Sequence, residues 1–286
     1  MSDSIKSQVQ NIKNLPTLPV VAQKILNISN DSTLSIDTLR NIVGRDPAIM
    51  AKILSVANSA FFRISTLTTN LNDAMMRIGL NNIKSIAIGV SVLALLDDGR
   101  RTPDYSRLYN HSLFVGLSAR SIANELKMSF AEDMLIEGLL HDLGYLVLNK
   151  YFPDIYKRIL ENLEYEKPIL DTERDIIDHT HADIGFWLAD KWNLSDTTLD
   201  TILYHHTPSL AKRNEKHVGI VHIADYITTK NIYSPIDKES GYPLDQSSLD
   251  ILSISDNDLK DIEQSLCKIN TPHNEEGITL AVNDLI

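Results

Sequence analysis

Cysteine is all but missing from this chain: Cys267 stands alone. A single thiol excludes an internal disulfide framework and a cysteine-based metal site, and it fits a reducing compartment. Positive charge is scarce as well. Twenty-seven Lys and Arg face 38 Asp and Glu, for a net charge of −11. Such a balance repels phosphate backbones, so no nucleic-acid partner is expected. Long apolar runs are missing too. The stretch around Ile86–Leu96 is too short to span a bilayer and is broken by Ser91. The opening residues MSDSIKSQVQ lack the apolar core of a signal peptide. The expectation is a cytoplasmic protein without a membrane partner. Nor is there a phosphate-cradling glycine loop; Gly44, Gly79 and Gly99 read as helix stops or loop residues.

What is present is ordinary soluble material: 43% hydrophobic and 23% charged residues over 286 positions, enough for one large domain or two smaller ones. Strand signals are absent, and nearly every segment carries the helical period, so the chain reads as all-α. Short helices are expected over 5–13, Val20–Ile28 and Ile36–Gly44, the last capped by Ser35. Asp46-Pro47 starts another. Asn70 or Asn72 caps a helix through Ile78, which Gly79 stops. Asn81–Leu96 follows. Residues 97–103 form the sharpest composition break, and they divide an N-terminal lobe, 1–98, from a second, 104–286. The second lobe should hold helices over Tyr105–Leu126, Phe130–Lys150, His181–Trp192, Thr197–His206 and Glu215–Thr229. Pro153 and Pro168 start two more, and a tail helix carries Leu259, Ile262, Leu266 and Ile269.

Ionisable groups sit on apolar stripes of five of these segments. Positions three, four and seven apart share a helix face. His111 falls with Leu108, Val115 and Ile122. His141 falls with Met134, Gly138, Tyr145 and Leu148; His181 with Ile184 and Leu188; His206 with Leu199 and Ile202; Asp225 with Val218 and Val221. Asp142 follows His141 inside LIEGLLHDLGYLVL, apolar almost all round. One inward histidine is usually a packed core residue. Two inward carboxylates are different, because they repel unless a proton or a cation lies between them. A divalent metal is one solution, and nitrogen plus oxygen donors suit zinc, manganese, iron or nickel better than calcium. Packed neutral histidines are another, with Asp142 and Asp225 paired to donors such as His111 or His222. Of His205 and His206 only one should face inward, since neighbours on a helix diverge by about 100°. His179, His217 and His273 read as solvated, and Trp187 and Trp192 as packing residues.

The order His111, His141-Asp142, Asp225 resembles the H…HD…D signature of the HD superfamily of metal-dependent phosphohydrolases, and His181 and His205-His206 are similar to the extra histidines of its binuclear members. LPTLPVVAQKIL, RDPAIMAKILSVANSAFF and LNDAMMRIGLNNIKSIAIGVSVL, followed by LLHDLGYLVL and HADIGFWLADKWNLS…ILYHH, resemble the HDOD domain of bacterial signalling proteins from about Leu15 to Asp225. The resemblance implies a two-lobed helical fold with an HD-like C-terminal lobe. It also implies a pocket for one or two ions of Fe, Mn, Ni or Zn, held by His111, His141, Asp142, Asp225, His181, His205 and His206. It implies a signal-transduction module acting through a signalling protein partner or a small nucleotide ligand.

The alternative the resemblance carries is a phosphohydrolase for a nucleotide or cyclic dinucleotide, with Arg107 or Lys150 on a phosphate. Three departures from cyclic-dinucleotide-cleaving relatives point toward signalling. Tyr145 stands where those relatives have lysine. Thr207-Pro208-Ser209-Leu210 replaces their GYP loop, and Gly241-Tyr242-Pro243 lies in another context. Arg107 stands where some carry a glutamate for a third metal.

Overall fold

In the computed structural model, residues 5–10, 18–29, 36–44, 47–59, 62, 67–96, 103–163, 167–231 and 243–269 are described. Their secondary structure is helical, with no β-strand among the described residues. Helices α1 Ile5–Gln10, α2 Val20–Ser29, α3 Ile36–Val43, α4 Pro47–Ala57, α5 Leu71–Ile78 and α6 Leu80–Leu96 precede the composition break. After it come α7 Pro103–Glu125, α8 Met134–Leu140, α9 Leu143–Tyr151, α10 Pro153–Glu161, α11 Ile169–Ile177, α12 His181–Lys191, α13 Asp196–Tyr204, α14 Glu215–Asn231, α15 Gln246–Leu252 and α16 Asp256–Ile269. Residues 97–102 of the break, Ser35, Asp46, Tyr233, Gly241-Tyr242 and His273 lie outside the described residues.

Local chemistry sets many of these boundaries. Asn70 caps α5, its side chain accepting the Asp73 N–H at 2.9 Å, and Gly79 ends that helix at φ 86°. Thr180 and Asp183 form a reciprocal capping box at the start of α12. Ser195 caps α13 and Asp245 caps α15. The helix α15 is one the periodicity alone did not single out.

The long helix α6 packs on α2, α4 and α5 on one side and on α8 and α9 on the other, so it joins the two halves of the chain. Its Ile83, Ile86 and Ile88 are buried, as are Leu108 and Ile122 of α7. Helix α7 lies along α8 and α14, and α9 lies along α12. Two of these contacts need glycine. A Cβ on Gly138 would stand 2.5 Å from Gly116 Cα, and one on Gly144 would stand 1.9 Å from the His181 carbonyl oxygen. The backbones therefore approach closely where α8 crosses α7 and where α9 meets the start of α12. No helix among the described residues is long and apolar enough to cross a membrane.

The single helix expected over Phe130–Lys150 is in fact two. The chain turns at His141-Asp142, where Asp142 takes φ −95° and ψ 22°, and Tyr145 N–H closes a tight turn onto the Asp142 carbonyl at 3.0 Å. In an unbroken helix these neighbours would point about 100° apart. The turn redirects the chain into α9, and the His141 and Asp142 side chains meet at one interior point, Nε2 to Oδ2 3.3 Å.

Candidate metal centre

Five parts of the fold deliver side chains to that point. Helix α7 contributes His111 from its middle. The α8–α9 turn contributes His141 and Asp142. His181 is the first residue of α12, His205 and His206 follow α13 directly, and Asp225 comes from α14. Six of these are sealed in: His111, His141, His181 and His205 expose 0%, Asp142 2% and Asp225 3%. His206 is partly exposed.

Asp142 stands between two sets of donors. Its Oδ2 lies 3.3 Å from His141 Nε2 and 3.6 Å from His111 Nε2. Asp225 Oδ1 completes that first set, 3.0 Å from His111 Nε2 and 3.9 Å from His141 Nε2. The other oxygen of Asp142, Oδ1, lies 3.4 Å from His181 Nε2 and 3.6 Å from His205 Nε2. His206 completes the second set, its Nε2 3.1 Å from that of His181, which is itself 3.3 Å from His205 Nε2. Both His205 and His206 thus reach the interior. The expectation of only one fails: His205 keeps right-handed helical angles at φ −59° and ψ −23°, and at the end of α13 both rings reach the same nitrogen, His181 Nε2.

The ring orientations are fixed from behind. His141 Nδ1–H donates to the Gly138 carbonyl at 2.7 Å, and His205 Nδ1–H to the Ile202 carbonyl at 2.8 Å. Carbonyl oxygens only accept, so in both rings the proton is on Nδ1 and Nε2 offers a lone pair inward. His181 Nδ1 meets Glu173, 2.9 Å from each carboxylate oxygen. His181 Nε2 lies within 3.3 Å of both His205 Nε2 and His206 Nε2, and facing nitrogens at that distance require a proton or a cation between them. Among the described residues, the buried His141 Nε2 and Asp142 Oδ1 have no hydrogen-bond partner. A buried polar atom left unmet costs roughly 1–3 kcal/mol. Converging, outwardly anchored imidazoles with two carboxylates suit a first-row divalent metal. The residues present fit such an ion in either set: Asp142 with His111 and His141, or Asp142 with His181, His205 and His206.

Charge follows the same geometry. Burial opposes ionisation of Asp142, yet His141, His181 and His205 hold its carboxyl well below the usual range. Asp225 is lowered through His111 and His141, again against burial. Burial, then neighbouring imidazoles, pushes His206 well down, and burial lowers His205. His181 goes the other way: burial is outweighed by Glu173 and Asp142, which lift it to about 10.

Other sequence expectations fare variously. Arg107 sits half-buried on α7, one turn before His111, and is not among the residues of either set. Lys150 lies in the last turn of α9 with its ammonium 5.8 Å from the Tyr151 ring centre. His222 does not pair with Asp225. It donates from Nδ1 to the His205 carbonyl at 2.7 Å and accepts the Asp245 N–H on Nε2 at 2.8 Å, tying α15 to the turn that carries His205. His217 is not simply solvated; it stacks on Phe130 at 3.8 Å, because Phe130 sits in the turn facing the start of α14. His179 meets the Trp187 edge at 4.9 Å. Pro208–Leu210 forms a 3-10 turn directly after the histidine pair.

Two neighbours of the centre were not singled out as part of it. Tyr145 stacks on His181, ring centres 4.0 Å apart. Glu173 is fully buried against the same imidazole. Its sequence signal was the apolar stripe of Ile169, Ile176 and Ile177, which a helix places on the same side.

Known proteins share this architecture. Residues 15–208 match the HDOD domain family model. A protein of Treponema pallidum (strain Nichols) is 28% identical over 206 residues, 70% of this chain and 39% of that protein, so the chain spans well under half of that relative's length. The crystal structure of an HDOD domain protein with unknown function from Geobacter sulfurreducens matches at TM-score 0.80 and 24% identity, covering 98% of this chain and 96% of that one. A protein of Shewanella amazonensis SB2B provisionally assigned as a phosphohydrolase matches at TM-score 0.72 and 18% identity, covering 97% of each chain. A Marinobacter aquaeolei VT8 protein provisionally assigned to signal transduction matches at TM-score 0.72 and 20% identity, covering 100% of this chain and 62% of that one. At these identities the structures speak for the fold alone. The family match covers well over half of the sequence, and the chain belongs to the HDOD domain family.

Proposed function

We propose that this chain is a signal-transduction module whose pocket holds one or two ions of Fe, Mn, Ni or Zn, and that it acts by binding a partner protein or a small nucleotide rather than by turnover. The observation that carries this reading is closure. Six of the seven donor residues expose 3% or less, and Tyr145 lies flat on His181. A sealed donor set suits a metal that organises five converging segments. It offers a substrate little approach except past His206. A bound divalent ion would supply Lewis acidity and would stabilise the fold by linking those segments. Asp142 bridges the two sets, while Gly138, Ile202 and Glu173 hold the imidazoles in register. In this reading the lobe of residues 1–98 relays the state of the 104–286 lobe to a signalling protein, and Arg107 meets a phosphate of any nucleotide ligand.

A second reading is favoured by one specific feature. The two oxygens of Asp142 face two separate donor sets, as binuclear phosphoester hydrolysis requires. In that case the substrate is a nucleotide or cyclic dinucleotide. A phosphoester panel supplied with manganese, iron or zinc separates the two. The signalling reading predicts no turnover above that of Asp142→Ala, whereas hydrolysis abolished by Asp142→Ala would establish the enzyme.

A further inference from the structure

The imidazoles anchored from behind are not anchored alike. His141 and His205 give their Nδ1–H to neutral carbonyls. His181 gives its to a carboxylate, and Glu173 Oε2 also accepts the His181 backbone N–H at 2.9 Å. Glu173 comes from α11 and exposes 0%. Placing a carboxylate in such a spot is costly unless its charge is used.

The two donor sets differ in charge in a way that Glu173 corrects. The first has Asp142 with His111 and His141, and a second carboxylate, Asp225, lies against the same two imidazoles. The second has one carboxylate oxygen, shared from Asp142, and three imidazoles. A divalent cation there would meet half the negative charge available in the first set. A carboxylate hydrogen-bonded behind a ligating imidazole fixes its tautomer and raises its basicity. Its charge also acts through a short, dry path.

We infer that Glu173 is a positioning residue that acts through His181 to make the second donor set a cation site, supplying the charge which that set lacks in its own side chains. The inference rests on the metal-holding reading above. It goes beyond that reading by assigning a residue outside both sets and by requiring that the two sites part company when it changes. The competing role is purely structural: Glu173 caps the first amide of α12 and nothing more.

The test is a titration with Mn²⁺ alone of the full chain, of Glu173→Gln and of Glu173→Asp. Equilibrium dialysis with elemental mass spectrometry gives the stoichiometry, and electron paramagnetic resonance distinguishes an exchange-coupled pair from an isolated ion. The wild type is expected to bind two ions with a coupled signal. Glu173→Gln is expected to keep the first ion at unchanged affinity, to bind the second about 10–100-fold more weakly, and to show an isolated-ion signal. Retention of the first ion reports that the fold survives. Glu173→Asp, which restores charge on a shorter arm, should regain part of the lost affinity. Glu173→Gln binding Mn²⁺ just as the wild type does, whether one ion or two, overturns the inference alone. So do equal losses in Gln and Asp, or loss of both ions together with helix content, which is what a capping role gives. A wild type that binds no Mn²⁺ overturns the underlying metal reading, and this inference with it.

Discussion

The rings of Tyr145 and His181 lie nearly parallel, 14° apart with centres separated by 4.0 Å. Tyr145 exposes 0% and also meets Tyr156 edge-on at 6.1 Å. It is thus both a large core residue and the wall of the second donor set. Tyr145→Ala should cost about 3–5 kcal/mol in denaturant unfolding, through lost burial and the cavity left behind. Tyr145→Phe keeps the stack and should cost about 1 kcal/mol or less. Equal costs for the two variants would contradict the assignment of the energy to the ring.

Gly144 sets how closely α9 approaches α12. A methyl group there would meet the His181 carbonyl at 1.9 Å, which is backbone and cannot swing aside. Gly144→Ala should therefore push α12 away and displace His181 from Asp142. The expected outcome is a melting transition lower by about 6–12 °C, or no soluble protein, from an overpacking cost of about 3 kcal/mol. A variant that melts like the wild type would show that the two helices are not packed this closely.

The His205 carbonyl, His222 and the Asp245 N–H form a chain of two hydrogen bonds of 2.7 and 2.8 Å. Burial lowers the His222 pKa, in keeping with a neutral ring that donates at one nitrogen and accepts at the other. His222→Ala leaves both backbone groups unmet and should cost about 1–3 kcal/mol. Hydrogen exchange should accelerate in α15 and in the 205–207 turn before it does in α7. Uniform acceleration throughout would deny the link.

Glu137 supplies a pH dependence independent of the cluster around Asp142. It is buried on α8, Oε1 accepting from Thr198 Oγ1 at 3.1 Å, and burial pushes its carboxyl up from 4.5 to about 8. The folded chain then keeps a proton that the unfolded chain has lost. Stability from this group is complete below pH 4.5 and drains away as pH rises toward about 8. The slope is at most about 1.4 kcal/mol per pH unit. Glu137→Gln removes the titration, so its stability relative to the wild type should improve between pH 5 and pH 8. Parallel stability curves for the two proteins would rule out a titrating Glu137.

The helical class and the inward-facing His111, His141, His181 and Asp225 were legible in the sequence, because apolar residues at helical spacing define a buried face whatever the polar residue on it. The break at His141-Asp142 was not. The stretch LIEGLLHDLGYLVL holds no proline, and its glycines sit three residues before and two after the break, so nothing local marks it. The break coincides with the close packing of α9 on the start of α12, where Gly144 meets the His181 carbonyl. Glu173 is not legible because glutamate on a short helix ordinarily faces water; the His181 imidazole and backbone N–H meet its buried carboxylate. Helical spacing predicts one inward ring from His205 and His206, and both converge on His181 at the C-terminal end of α13.

The central claim is that the centre around Asp142 holds metal, and the most direct measurement is the metal content of the purified, untagged protein beside Asp142→Ala. Because Asp142 serves both donor sets, the account predicts one or two equivalents of iron, manganese, nickel or zinc in the wild type and loss of bound metal in the variant. A wild type that holds no metal after reconstitution with each of these ions, or an Asp142→Ala protein that holds as much as the wild type, would contradict it.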